Sequence, residues 1–287
     1  TALSTLLTRT LSGAVFVVVM VGGVLLSRFS FVLLMRVICV GAMHEFYKMA
    51  SLSGLKPQRG LGLVIGAALV AFNFLIASYG LLPELKHAVL ALFGLSFVPF
   101  AAELYRKTQT PLANIGSTLT GIIYVAVPLS LLCHIAMFPA SAELLGHRPP
   151  VQGMYHPWFV LAYLLIVWSN DVGAYLVGVA IGRHRLFERI SPKKSWEGFF
   201  GGLIFAVGFA VLCGFLLGGN LVFWGGLGVI VVITGVFGDL VESMYKRSAG
   251  VKDSGSIIPG HGGFMDRFDA LLLSVPFVYF YFIIFTA

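Results

Sequence analysis

Nine stretches of this chain are long and apolar enough to cross a lipid bilayer, and little is left between them. They run roughly over residues 10–27, 29–48, 61–79, 87–104, 112–138, 157–182, 198–217, 221–245 and 264–286. A membrane helix needs about 20 mostly apolar residues, because the hydrocarbon core is about 30 Å thick and a helix rises about 1.5 Å per residue. Nine such helices take up most of the 287 residues, which leaves no room for a separate soluble domain. Composition agrees. Charged residues make up 11% of the chain, against about 25% in soluble domains, so it cannot cover a water-facing surface. The same scarcity excludes disordered and nucleic-acid-binding classes, and no nucleic acid is expected as a partner. Cys39, Cys133 and Cys213 lie in apolar runs without metal-ligand spacing and read as packing thiols. The expected fold is all-α and polytopic. The first stretch is not followed by an A-x-A pattern and reads as a retained helix.

Charge sets the expected topology. With a cytoplasmic N-terminus and alternating sides, inside segments hold 15 of the 19 Lys and Arg residues, outside loops hold Arg28, Lys86 and Arg148, and Arg36 falls within a span. That asymmetry is a positive-inside signal for N-in and C-out. The net charge of +7 is thus first a topology signal. Residues 1–140 hold few polar features and read as a membrane scaffold. Residues 157–287 read as the catalytic part, with its loops in the cytoplasm, within one integral membrane unit. The glycine-rich stretches 198–202 and 225–238 read as helix-packing surfaces.

The charges that remain are concentrated. Residues 183–197 and 239–269 together hold 16 of the 31. Asp171 falls about ten residues, roughly 15 Å, from the cytoplasmic end of its span, and Asp239 about six residues, roughly 9 Å, inside its own. Glu242 follows Asp239 at i+3, and Asp266 and Asp269 share the same spacing on the last span. An Asp at a helix centre costs about 2.5–3.5 kcal/mol on insertion scales, and intramembrane acids are functional-site hypotheses by default. Local readings stay open for each. Asp171 could hydrogen-bond between helices, and Asp266 and Asp269 could favour the positive end of a helix. Glu242 could pair with Lys246 at i,i+4, and the cations from Arg183 to Lys194 could anchor topology alone. Together, acids on three helices beside dense Lys and Arg point to a metal ion and a phosphate-bearing substrate. An oxygen-only ligand set favours Mg²⁺. No H-E-x-x-H is present, which argues against a zinc hydrolase.

The densest polar segment runs Ser243-Met244-Tyr245-Lys246-Arg247, then four residues, then Lys252-Asp253-Ser254-Gly255, and on through Pro259-Gly260-His261-Gly262-Gly263-Phe264-Met265-Asp266-Arg267-Phe268-Asp269. It closely resembles the diagnostic segment of the CDP-diacylglycerol synthases (phosphatidate cytidylyltransferases), S-x-x-K-R, four residues, K-D-x-G, then P-x-H-G-G-x-x-D-R-x-D. Every polar position of that pattern is present, and Tyr245 stands where the family usually has an aliphatic residue or Phe. Ser191-Pro192-Lys193-Lys194-Ser195-Trp196-Glu197-Gly198 resembles the family's S-P-K-K-[ST]-x-E-G loop. Asn170-Asp171-Val172-Gly173-Ala174-Tyr175 is similar to its D-x-x-A-Y segment, and Gly238-Asp239-Leu240-Val241-Glu242-Ser243 to its G-D-L-x-E-S run. The resemblance is strong over residues 165–275 and rests on span pattern alone before that.

The resemblance implies a Mg²⁺-dependent enzyme that joins CTP to phosphatidic acid, releases pyrophosphate and makes CDP-diacylglycerol. It implies a homodimer among membrane lipids with a cytoplasm-facing polar cavity, and K⁺ as a second ion. The small size suits a bacterial plasma membrane. By resemblance, Asp239, Asp266 and Asp269 are metal-site carboxylates and, with Lys246, the catalytic set. Asp171 is a further metal candidate, or orients a lysine. Lys193, Lys194, Ser195, Lys246, Arg247, Lys252, His261, Gly262, Gly263 and Arg267 are the phosphate-binding candidates. Two rivals are a CTP-dependent polyprenol kinase and an ion-coupled transporter. The complete C-terminal motif argues against the kinase. The clustering of charge on one side, rather than along a route through the membrane, argues against the transporter.

Overall fold

In the computed structural model the described residues are 2–80, 87, 91, 93–137, 153–255 and 262–286. Nine helices carry the chain among them: α1 (Ala2–Leu25), α2 (Arg28–Leu52), α3 (Arg59–Tyr79), α4 (Val98–Glu103), α5 (Pro111–Ala136), α6 (Pro157–Ile181), α7 (Trp196–Leu216), α8 (Leu221–Ser248) and α9 (Met265–Thr286). The protein is therefore nearly all-α. The exception is a short antiparallel ribbon of β1 (Arg185–Phe187) and β2 (Ser191–Ser195), where the sequence suggested only a loop.

Seven of the helices, α2, α3 and α5 to α9, are long and apolar enough to cross a membrane. The expected count of nine is not reached among the described residues. The apolar part of α1 spans Thr10–Leu25, and the fourth expected stretch appears as a short apolar helix over Phe93–Glu103. Part of that stretch, with Lys86, lies outside the described residues. Its helix ends at Glu103, whose carboxylate is tied to its surroundings. It accepts from Gln58 Nε2 at 2.7 Å, Arg106 at 2.8 Å, Thr108 Oγ1 at 2.6 Å and Asn114 Nδ2 at 2.9 Å.

The chain divides into two compact units. Unit 1 is Thr1–His134 with Tyr245–Phe268, and unit 2 is Ile135–Met244 with Asp269–Ala287. The Lys246–Asp266 part of the signature segment thus belongs with the N-terminal helices.

Within unit 1, Ser27 and Ser30 form a reciprocal cap that starts α2, satisfying donors that a helix start leaves open. Tyr47 is fully buried at the centre. Its hydroxyl donates to the Thr118 carbonyl at 2.9 Å, and Gly62 and Gly121 leave room for its ring. A π-helical turn over Ile122–Ala126 interrupts α5.

Unit 2 has an aromatic core of Phe159, Phe223, Trp224 and Phe282, all buried. Its closest helix pair is α6 with α7. A Cβ at Gly201 would collide with Val177, and one at Gly202 with Asn170, so the small residues let the two backbones approach. Ser195 caps α7, its hydroxyl accepting from the Gly198 N–H at 3.2 Å. Asn220 caps α8 by accepting from the Val222 and Phe223 N–H groups. Cys39, Cys133 and Cys213 are buried free thiols.

Candidate active site

The structure sorts the expected site residues into two groups, one in each unit.

In unit 2, α8 and α9 bring acids together. A Cβ at Gly238 would collide with the Asp269 carbonyl, and Gly235 lies against Ala270. These glycines give the close contact that brings Asp239 and Asp269 near each other. Carboxylate oxygens of Asp239, Glu242 and Asp269 all lie within 4.8 Å of one another. Glu242 is fully buried. Like charges at that separation repel by about 3 kcal/mol per ionised pair at an effective dielectric of about 20. Such a cluster persists only when a cation or a shared proton compensates it.

One compensating cation is in the chain. Lys194, from the β-ribbon, forms an ion pair with Asp239, which also accepts from Ser243 Oγ at 3.2 Å. Asp171, Lys193, Lys194 and Asp239 line a cavity of about 440 Å³ together with Asn170, Tyr175 and Ser195. Asp171 is exposed and Asn170 buried, and Asn170 packs against Gly202 of α7. Ser195, expected to bind phosphate, is buried and serves as the cap of α7. Glu197 pins the base of the ribbon. It accepts from the Arg183 N–H at 3.1 Å and lies 2.6 Å from His184 Nδ1. The ribbon therefore presents Lys193 and Lys194 from a fixed frame.

In unit 1, Asp266 is a hub. Its Oδ1 accepts from Lys246 Nζ at 2.7 Å. Its Oδ2 accepts from the Ser254 N–H at 3.0 Å and the Gly263 N–H at 2.8 Å, and lies 2.9 Å from Ser254 Oγ. A carboxylate offers about four lone-pair sites, so protein donors largely saturate this one. The resemblance made Asp266 a metal carboxylate; here its oxygens are engaged by the loop and by Lys246. Gly262 has φ +82° and no room for a Cβ beside the Asp266 carboxylate, so both its conformation and its surroundings require glycine. The N–H of Gly263, expected to face a phosphate, is directed to Asp266. Arg247, Lys252 and Arg267 are exposed. His261 lies outside the described residues.

Two residues were missed from the sequence. Glu242, read as a local partner of Lys246, stands in the acidic trio. Glu45, on α2, is buried and reaches the signature segment through hydrogen bonds to Phe264, Met265 and Ser254. The signal for Glu45 was present, an acid inside an apolar stretch, but its long-range partners cannot be seen from α2 alone.

Comparison with known sequences gives the family. The sequence model described as the cytidylyltransferase family matches residues 7–285. The chain belongs to the cytidylyltransferase family. A phosphatidate cytidylyltransferase of Synechocystis sp. (strain ATCC 27184 / PCC 6803 / Kazusa) is 31% identical over 258 residues, 83% of each chain. One from Haemophilus influenzae is 48% identical over 147 residues, which are 45% of this chain and 48% of that protein. One from Staphylococcus aureus (strain COL) is 34% identical over 188 residues, 65% of this chain and 66% of that protein. The chain thus matches about half the length of the Haemophilus relative and about two thirds of the Staphylococcus one. Seven apolar helices and these bacterial relatives make it an integral membrane protein of a family whose members are nucleotidyltransferases.

Proposed function

We propose that the protein is a phosphatidate cytidylyltransferase, joining CTP and phosphatidic acid into CDP-diacylglycerol and pyrophosphate at the cytoplasmic face of a bacterial plasma membrane. The reading is carried by the unit 2 cavity, where Asp171, Lys193, Lys194 and Asp239 share one space of about 440 Å³ beside the acidic trio. It is supported by the family match and by the names of the relatives.

In the reaction a phosphate oxygen of phosphatidic acid attacks the α-phosphorus of CTP. A new P–O bond forms there, the bond from the α-phosphorus to the bridging oxygen breaks, and pyrophosphate leaves with that electron pair. The nucleophile is already anionic near neutral pH, so no strong base is required. The barrier lies in bringing two polyanions together and in charge developing on the leaving group, which fixed cations stabilise. Lys193 and Lys194 are assigned to phosphate oxygens in the cavity, with Lys194 held ready by Asp239. Within unit 1, Lys246, steadied by Asp266, is assigned to phosphate, with Arg247, Lys252 and Arg267 as further phosphate-binding cations.

The donor set of Asp239, Glu242 and Asp269 fits a hard divalent cation, having only oxygens and a net negative charge. Mg²⁺ held there would neutralise charge on the triphosphate and the departing pyrophosphate. Asp171 is the candidate for a second ion, K⁺ by resemblance, and Asp266 is read as the residue that holds Lys246.

The deciding experiment uses detergent-purified protein with phosphatidic acid and Mg²⁺. Label on the α-phosphate of CTP is expected in the lipid and label on the γ-phosphate in pyrophosphate. Transfer of the γ-label to lipid would instead indicate a polyprenol-type kinase. Nine spans with N-in and C-out topology follow from the asymmetry of charge, and reporter fusions at each loop test that. The homodimer implied by the resemblance is checked by mass measurement in detergent.

A further inference from the structure

Glu45 has no part in the chemistry above, yet it is buried and fully engaged by donors from the signature segment. It is 2% exposed, and a buried carboxylate is costly unless hydrogen bonds satisfy it. Oε1 accepts from the Phe264 N–H at 3.0 Å. Oε2 accepts from the Met265 N–H at 2.9 Å and lies 3.0 Å from Ser254 Oγ. The Phe264 and Met265 N–H groups belong to the start of α9, where donors have no intrahelical acceptor. Glu45 thus caps a helix from 219 and 220 residues away in sequence.

The signature glycines are shaped around this carboxylate. A Cβ at Gly255 or at Gly263 would collide with it. Both glycines have a structural reason at Glu45 in addition to any role toward phosphate.

Ser254 carries the constraint onward. Its hydroxyl sits between Glu45 Oε2 and Asp266 Oδ2, and having one proton it donates to one of them at a time. Its N–H is fixed on Asp266, whose other oxygen holds Lys246 Nζ. A short relay of hydrogen bonds therefore links Glu45 to the Lys246 ammonium, and a separate pair fixes the start of α9.

We propose that Glu45 is a positioning residue for the nucleotide: through Ser254 and the first turn of α9 it sets where Asp266 and Lys246 meet the triphosphate. The proposal rests on the cytidylyltransferase reading above. It assigns a site function to a helix that the sequence marks as scaffold.

The test uses E45Q and E45D in the full chain, purified in detergent. Gln keeps one acceptor and turns an NH₂ group toward donors. Asp keeps the charge but not the reach. E103Q serves as a matched control, since Glu103 is similarly buried in the same unit and accepts four side-chain bonds but has no place in the proposed chemistry. Two readouts are taken: the rise in Tm that CTP with Mg²⁺ produces, and steady-state kinetics with each substrate varied in turn.

E45Q is expected to lose most of the CTP-induced rise and at least tenfold in kcat/KM for CTP, while KM for phosphatidic acid stays within twofold. E45D should recover part of the loss. E103Q should lower the starting Tm but keep the CTP-induced rise. The proposal is overturned if E45Q retains its CTP response, or if it loses both substrates equally as a merely unstable protein would. It is also overturned if neither Glu45 variant can be recovered monodisperse, because the role is then structural. Wild-type protein that responds to CTP yet makes no labelled lipid would refute the phosphatidate reading while leaving Glu45 judged by the CTP response. Wild-type protein without any CTP response would refute both.

Discussion

Two groups of acids, one in each unit, each include one aspartate of the D-R-x-D motif and stand in different electrostatic circumstances. In unit 1, Asp266 and Glu45 are ringed by donors: backbone N–H groups, the Ser254 hydroxyl and the Lys246 ammonium. In unit 2, Asp239, Glu242 and Asp269 are brought within 4.8 Å of one another, with Lys194 against Asp239. The first group spends its charge on holding a loop. The second accumulates negative charge beside a cavity. A D-R-x-D motif therefore carries two jobs three residues apart. One carboxylate organises donors, and the other adds to a site suited to a cation.

The sharpest way to break this contrast is to remove charge from the trio. Asp239→Asn and Asp269→Asn are each expected to lower CMP transfer to lipid by roughly 10²–10³-fold, the scale seen when a charge-stabilising group is lost, with membrane insertion intact. Full activity of either purified variant would remove the metal role.

Asp266→Asn is expected to cost less, about tenfold or more, and to raise KM for CTP because Lys246 loses its charged partner. Its Mg²⁺ titration midpoint should match wild type, whereas that of Asp269→Asn should move to higher Mg²⁺. A shift of equal size in both would erase the distinction between the two groups.

Gly238→Ala probes how the trio is assembled. The added methyl meets the Asp269 carbonyl, and overpacking of this kind costs about 1–3 kcal/mol. Both Tm and activity should fall, and unchanged activity would show that the close helix contact is not needed. The smallest effect is expected from Ser195→Ala. Loss of an N-cap costs about 1 kcal/mol, so Tm should drop by a few degrees with activity largely kept. A large rise in KM for either substrate would return Ser195 to the phosphate-binding set.

Much of this could be read from residue order. Long apolar stretches gave α2, α3 and α5 to α9 to within four residues at each end, because hydrophobic length is a local property. The expected span 157–182 is α6 at Pro157–Ile181, and 198–217 is α7 at Trp196–Leu216. The ribbon of β1 and β2 was not legible, since Ser191-Pro192-Lys193-Lys194-Ser195 has no alternating apolar pattern and is held by Glu197 at its base. The other two expected spans correspond, among the described residues, to shorter apolar helices over Thr10–Leu25 and Phe93–Glu103.

The signature segment and its polar residues were in the sequence, and with them the family and the class of chemistry. Motif identity is a matter of residue type and spacing, which folding does not alter. The tertiary structure decided which partners each acid has. Asp266 and Asp269 are equivalent on paper, but their surroundings come from different parts of the chain: donors from Lys246, Ser254 and Gly263 for one, carboxylates from α8 for the other. Glu45 shows the same thing over the longest distance, since an acid on α2 acquires its meaning only from backbone donors more than two hundred residues later. Hydrogen bonds and like-charge contacts depend on positions in space, so the sequence could name the participants while only the fold could assign them partners.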